Sequence, residues 1–251
     1  MVTREENAVL TGTSSGLGRY IYSRYHRSKV VRTKSFVQDI ENILKLGQKT
    51  DLLIHCAFDA GIFVSDYEEY VNTNILYTQK LIEALKPEKV VYISSVNVYL
   101  TENTNYKLSK LISENIVRDS TDDHLILRCG AIAGPTMRER SVGSIKLIFE
   151  DKNPKIRLSN QSSFSYILQE DIFDFIELSD KQNITGTFDF VSSTYINLET
   201  ICNRYGKKAM FGDAVYTTPI ANNKKIKKTF PQADRTSEEV LDIIYRRINN
   251  V

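Results

Sequence analysis

Short, continuous apolar runs alternate along this chain with longer stretches in which apolar residues return every three or four positions. Ala8-Val9-Leu10, Val30-Val31, Leu52-Leu53-Ile54-His55, Val90-Val91-Tyr92-Ile93 and Leu125-Ile126-Leu127 are too short for helices and lack the alternation of a half-exposed strand. They predict strands buried on both faces. Between them, residues 16–24, 35–46, 66–85 and 106–118 carry the helical period, with Gly47 as a stop for the second and Pro87 for the third. Strands that alternate with helices predict βαβ units, and so an α/β fold with a doubly wound parallel sheet. After Gly134-Pro135 the rhythm loosens. Helices at 144–150, 171–178, 198–205 and 237–248, with strands at 156–158 and 188–191, are separated by longer polar loops. A boundary near residue 135 divides a first domain, 1–135, from a small lobe, 136–251, that is expected to return some elements to the sheet edge.

Composition adds mainly exclusions. A chain of 251 residues, 41% hydrophobic, can bury one substantial core. Its 33 basic and 31 acidic residues leave no global field for nucleic acid or an anionic membrane. The local exception, Lys224-Lys225-Ile226-Lys227-Lys228, reads as a solvated helix face rather than a phosphate-binding patch. Cys56, Cys129 and Cys202 are odd in number and far apart, which points to reduced thiols and not to a disulfide frame or a metal site. The start MVTREENAVL is too charged for a signal peptide, and no apolar run is long enough to span a bilayer. The expectation is a soluble, cytoplasmic protein with a small-molecule substrate.

Candidate chemistry begins at the first strand–helix junction, Thr11-Gly12-Thr13-Ser14-Ser15-Gly16-Leu17-Gly18. Glycines let a backbone approach a pyrophosphate, and N–H groups at a helix start attract its charge, so this turn predicts a dinucleotide site with Ser14 and Ser15 as added donors. The second strand of such a fold usually ends in an acid that holds the ribose hydroxyls of NAD. Here Val31 is followed by Arg32, Thr33 and Lys34. An arginine pairs with a 2′-phosphate where a carboxylate would repel it, which favours NADP(H) over NAD(H). Further on, Tyr106 and Lys110 stand four residues apart on one helix face, after a strand that ends in Ser94-Ser95. A phenol is a poor base near neutrality, but a fixed ammonium favours its phenolate. Such a tyrosine can exchange a proton with an alcohol or carbonyl oxygen while hydride leaves or reaches the carbon.

Together these residues resemble the extended short-chain dehydrogenase/reductase family, the NAD(P)-dependent epimerases, dehydratases and reductases of nucleotide sugars, built on a Rossmann-type sheet with a C-terminal substrate lobe. DLLIHCA is similar to its strand ending in His-x-Ala-Ala, which lines the pyrophosphate. NTNILYTQKLIEA resembles its Asn-Val-x-Gly-Thr-x-Asn-Leu-Leu-Glu-Ala helix, with Asn74 at the family's Asn. VVYISSVNVY, YKLSKLISE, LRCGAIAGP and YILQEDIFDFI resemble Val-Tyr-x-Ser-Ser-x-x-Val-Tyr, Tyr-x-x-Ser-Lys-x-x-x-Glu, Leu-Arg-x-x-Asn-x-Tyr-Gly-Pro and Tyr-Ile-His-Val-Asp-Asp-x-Ala in turn. The resemblance implies Tyr106 as acid/base, Lys110 as the ammonium that lowers its pKa and binds the nicotinamide ribose, and Ser95 as the group that orients the substrate oxygen. It implies cofactor contacts from Gly12, Thr13, Ser14, Ser15, Gly16, Leu17, Arg32, Thr33, Cys56, Ala57, Phe58, Asn74, Ser94, Ala131 and Ile132, with Asn97 a substrate contact. Arg138, Arg140 and Lys146 follow the strand whose end would face the nicotinamide, where an arginine suits a substrate diphosphate.

The departures narrow the reaction. The glycine spacing is that of the family's shorter members, Asp39 is a weak candidate for an adenine contact, Ala131 replaces the usual Asn, and the lobe is trimmed. A 4,6-dehydratase needs an added acid and base where this chain has Val96 and Asn97, and a 3,5-epimerising reductase needs a second acid/base pair that His26, His55 and His124 do not offer. Ser, Tyr, Lys and cofactor suffice for a one-step ketone/alcohol oxidoreductase of a nucleotide-linked sugar. They suffice equally for a C4-type epimerase. A dinucleotide-binding sensor without turnover is the alternative from another class, and the intact Ser95, Tyr106 and Lys110 argue against it. Many relatives pair two helices, here 66–85 and 106–118, across a dimer interface, and Ile75, Leu76, Leu111 and Ile112 permit such a homodimer.

Overall fold

The computed structural model describes residues 7–25, 29–32, 50–58, 67–150 and 152–250. The expected helix at 35–46, with Asp39 and Thr33, lies outside the described residues. Five predicted strands are present as β1 (Asn7–Leu10), β2 (Lys29–Arg32), β3 (Leu52–His55), β4 (Lys89–Ser95) and β5 (His124–Cys129). With β10 (Gly186–Phe190) at the edge they form one sheet of order β10-β5-β4-β3-β1-β2. β1 pairs in parallel with both β2 and β3, and β3 with β4, in the registers Val9↔Val31, Val9↔Leu53 and Leu53↔Val90. The chain winds outward from β1 to β2, then returns to lay β3, β4 and β5 on the other side. That reversal leaves a switch point beyond the carboxyl ends of β1 and β3, where ligands bind in open α/β sheets.

The sheet is flanked in this unit by α1 (Gly16–Arg24), α2 (Tyr67–Tyr70), α3 (Tyr77–Leu85) and α4 (Asn105–Ser120). Leu81, Leu85 and Val117 from the helices pack with Val9, Leu53, Val90 and Ile126 from the strands, which is why those strands read as unbroken apolar runs. The periodicity predicted one helix over 66–85. The described part is instead interrupted at Val71–Leu76 by a six-residue π-helix. There the Asn74 carbonyl accepts from the hydroxyls of Thr78, on the same helix, and Ser113, on α4, at 2.6 and 2.9 Å, which compete with the regular ladder for that oxygen.

The chain forms two compact units, Met1–Arg128 with Ile176–Phe188, and Cys129–Phe175 with Asp189–Val251. The second holds α5 (Ile145–Phe149), part of α6 (Gln169–Lys181), α7 (Leu198–Tyr205), α8 (Lys224–Thr229) and α9 (Ser237–Asn249). The strand expected at 156–158 is β7 (Lys155–Leu158), paired with β12 (Met210–Ala214), whereas β6 (Ala131–Ala133) with β9 (Tyr166–Leu168) and β8 (Ser163–Phe164) with β11 (Ile196–Asn197) went unforeseen. Those last four strands, of two or three residues each, are too short to show a period. Ile145, Ile148, Phe149, Phe164, Leu198, Ile201, Leu241 and Ile244 form this unit's core. Val142, Gly143 and Ser144 take φ values of 46°, 73° and 58°, a left-handed turn before α5. Glycine is required at its centre, since a Cβ on Gly143 would stand 2.8 Å from Leu198. No helix among the described residues is long and apolar enough to cross a membrane.

Candidate active site

The turn after β1 is shaped by contact with the end of β3. Gly12 has φ of +68°, and a Cβ there would lie 2.8 Å from the Ala57 nitrogen and the Cys56 carbonyl carbon. A Cβ on Gly18 would lie 2.3 Å from the Gly12 oxygen, so the first turn of α1 sits directly on the loop. That turn contains no acidic residue, which leaves its positive end available to an anion. Among the other predicted cofactor residues here, Thr13 and Leu17 are buried, Ser14 is exposed, and Ser15 and Gly16 are half-buried, with Ser15 preceding α1 in extended conformation. This narrow glycine-lined cradle fits a dinucleotide pyrophosphate.

Behind it runs a buried hydrogen-bond relay. The Thr11 hydroxyl lies 2.7 Å from His55 Nδ1, and His55 Nε2 lies 2.9 Å from the Thr78 hydroxyl. Because Thr78 donates to the Asn74 carbonyl, its oxygen accepts from His55, which places the proton on Nε2 and leaves Nδ1 to accept from Thr11. The Thr11 oxygen accepts in turn from the Cys56 and Ala57 amides at 3.1 and 3.0 Å. Burial, reinforced by the nearby Lys110 ammonium, lowers the His55 pKa to about 3, so the ring is a neutral connector and not a proton carrier. The relay continues from Asn74 Nδ2 to Ser109 Oγ at 3.1 Å, and from Ser109 Oγ to the Tyr106 carbonyl at 2.9 Å. It therefore ties the phosphate turn to the helix that carries Tyr106. The Asn74 side chain is engaged by that helix.

α4 starts at a Thr104 cap, whose Oγ accepts from the Lys107 amide at 3.1 Å. Tyr106 and Lys110 follow, one turn apart, and both are buried. The Lys110 ammonium donates to the Ile93 carbonyl at 2.8 Å and faces three rings, Phe58, Tyr92 and Tyr106, at 4.2, 4.8 and 5.9 Å from their centroids. Phe58 stands where the His-x-Ala-Ala pattern has its second alanine. Ser95, at the end of β4, is half-buried and accepts from the Asn97 amide at 3.2 Å, and Asn97 lies buried in the 3-10 turn Val96–Tyr99. Cys56 is no nucleophile: burial, only partly offset by Lys110, pushes its thiol up to about 12.

One turn beyond Lys110, the Glu114 carboxylate is wholly buried. It accepts from Ser94 Oγ at 2.6 Å, from Arg128 Nε and Nη2 at 2.9 and 2.6 Å, and from Arg118 Nη2 at 2.7 Å. Burial alone would raise its pKa, but these donors outweigh burial and hold it below the usual carboxylate range. Ser94 thus turns its hydroxyl toward Glu114, and β4, α4 and β5 are locked together at the site. Sequence reasoning quoted Glu114 and Arg128 only as motif letters. Nothing in their spacing announces that they meet.

Arg32 closes β2 beside Leu10. Ala131 and Ile132 are half-buried on β6 of the second unit, and Arg138 and Arg140 are exposed in the loop that follows, with Lys146 half-buried on α5.

Residues 8–149 match the model of the NAD dependent epimerase/dehydratase family. More than half of the chain is covered. The chain belongs to that family. Its likeness to solved structures runs the whole length. MoeE5 in complex with UDP-glucose and NAD superimposes with a TM-score of 0.78 at 17% identity, over 97% of this chain and 99% of that one. UDP-glucuronic acid 4-epimerase from Bacillus cereus, in complex with UDP-glucuronic acid and NAD, gives 0.73 at 20% over 97% and 99%. The dTDP-4-dehydrorhamnose reductase of Bacillus anthracis str. Ames, in complex with NADP, gives 0.77 at 14% over the same shares. At these identities the likeness establishes the Rossmann-type fold. No curated protein matches the chain. Family membership makes it an enzyme of the NAD-dependent epimerase and dehydratase type.

Proposed function

We propose that the chain is an NAD(P)-dependent oxidoreductase acting on the keto or alcohol group of a nucleotide-linked sugar, with NADP(H) preferred. The observation that carries this reading is the seating of Tyr106 and Lys110 one turn apart on α4, with the Lys110 ammonium fixed on the Ile93 carbonyl of β4 two residues before Ser95. The bound cofactor would supply or accept the hydride. Tyr106 Oη moves the proton to or from the substrate oxygen, and Ser95 Oγ donates a hydrogen bond to that oxygen. Lys110 favours the phenolate of Tyr106 and presents its ammonium to the ribose hydroxyls. The Gly12–Gly18 turn cradles the pyrophosphate. Arg32, at the end of β2 where the sequence carries no acid after Val31, favours the 2′-phosphate of NADP(H).

Nucleotide-linked sugars are supported as the substrate class by the UDP-glucose and UDP-glucuronic acid in the similar structures, and by the arginines that follow β6. A C4-type epimerase would use the same three side chains. The likeness to UDP-glucuronic acid 4-epimerase makes it the second reading. Neither Val96 nor Asn97 can act as the additional base that dehydration requires.

The test compares the parent with Tyr106→Phe on a set of 4-keto and parent nucleotide sugars. Net oxidation of NADPH marks the reductase, and interconversion of C4 epimers without net oxidation marks the epimerase. Tyr106→Phe should lower turnover by at least about 100-fold while the cofactor dissociation constant changes little, since only a titrating hydroxyl is lost. A variant that kept most of the parent's turnover would overturn the assignment.

A further inference from the structure

Lys110 is 1% exposed, yet the reading proposed above needs its ammonium to meet a ribose hydroxyl. Four described groups stand close to Nζ. The Ile93 carbonyl is strand backbone in the middle of β4. Tyr92 is 1% exposed on the same strand, between β3 and β5, and has nowhere to go. Tyr106 must stay, because its phenol is to work beside the ammonium. Phe58 differs from all three. Its ring lies nearest, at 4.2 Å from Nζ, and also stands 6.0 Å from the Tyr106 ring. It is 40% exposed, in the loop three residues past the end of β3, so its ring is not held within the sheet.

We propose that Phe58 gates the cofactor site: its ring caps the Lys110 ammonium and must swing outward before a ribose can reach it. A phenyl face attracts a cation through its quadrupole, most strongly where water is excluded, so the cap is a favourable resting place for a buried ammonium. It is also a competitor. Whatever holds the ring over Nζ must be given up when the ribose hydroxyls arrive, and the apparent cofactor affinity falls by the fraction of molecules whose ammonium is uncapped. The strength of an ammonium over a phenyl face corresponds to a factor of about 2 to 30 in that equilibrium. Phe58 is thus a positioning residue that sets how readily the site loads.

The test uses the full chain and two variants, Phe58→Ala and Phe58→Leu, the second keeping apolar bulk without a π face. Two quantities are read: the rate at which an amine-acylating reagent modifies Lys110 in the cofactor-free protein, mapped by mass spectrometry, and the NADPH dissociation constant from fluorescence titration. Phe58→Ala should speed modification of Lys110 several-fold and tighten NADPH binding by about 2- to 30-fold, with Phe58→Leu between it and the parent. An unchanged modification rate in both variants would overturn the cap. Weaker NADPH binding in both would overturn the competition, because the ring would then belong to the bound state. In the parent, saturating NADPH should protect Lys110. Failure of that protection would count against the ribose role of Lys110, whereas the cofactor-free measurement judges the cap by itself.

Discussion

Removing the Glu114 carboxylate tests how the helix that carries Tyr106 and Lys110 is anchored. Glu114 is 0% exposed and takes four hydrogen bonds of 2.6 to 2.9 Å from Ser94, Arg128 and Arg118. Glu114→Ala leaves two guanidinium groups without their counter-charge. Breaking a buried pair from one side costs about 3–5 kcal/mol. Arg128 is 17% and Arg118 32% exposed, so both regain some water, and the low end, about 3 kcal/mol, is expected. For a chain of this size that lowers the melting temperature by about 6–12 °C, and the urea midpoint should fall with little change in slope. Glu114→Leu combined with Arg128→Met removes both charges and should recover most of the loss, since an apolar pair of similar volume often serves as well as a buried ion pair. The pH dependence has a definite sign. A carboxyl whose folded pKa is depressed contributes stability that is present above its unfolded value, about 4.3, and lost as pH falls through the lower folded value. That acid-side increment should vanish in Glu114→Ala. A single variant within about 1 kcal/mol of the parent, or a double variant as unstable as the single, would refute the anchoring role.

Three further outcomes follow from the site. His55 is neutral when folded, with a pKa lowered to about 3, so its contribution to stability is present above its unfolded value of about 6.5 and is lost as pH falls below it, at about 1.4 kcal/mol per unit. Urea titrations at pH 7 and 5 should show this slope in the parent and a shallower one in His55→Gln, and equal slopes would contradict the buried neutral ring. Arg32→Asp should reverse the preference between NADPH and NADH in binding titrations, and equal affinities of the parent for both cofactors would count against the proposed 2′-phosphate contact. Alanine at Arg138 and Arg140 together should raise KM for a nucleotide-linked substrate far more than for a small carbonyl compound, whereas an equal effect on both would remove the diphosphate role.

Features that repeat locally could be read from the chain alone. Buried parallel strands read as unbroken apolar runs because helices cover both faces, so β1 to β5 were legible to within one or two residues. The glycine turn and the Tyr106–Lys110 pair were legible too, because each is a short-range pattern: a turn that tolerates no Cβ and a single helical turn. The tertiary structure decided everything that depends on which distant segments meet. Glu114 and Arg128 are 14 residues apart, and Thr11 and His55 are 44 apart, so no local period announces either contact. At the π-helix Val71–Leu76, hydroxyls from Thr78 and Ser113 compete for one carbonyl, and Ser113 comes from a different helix. Phe58 was named from sequence as a cofactor contact. Only the packing of three rings around a buried ammonium shows what it covers. Local propensity writes elements and turns into the chain, whereas a desolvated charge takes its partners from wherever the fold brings them.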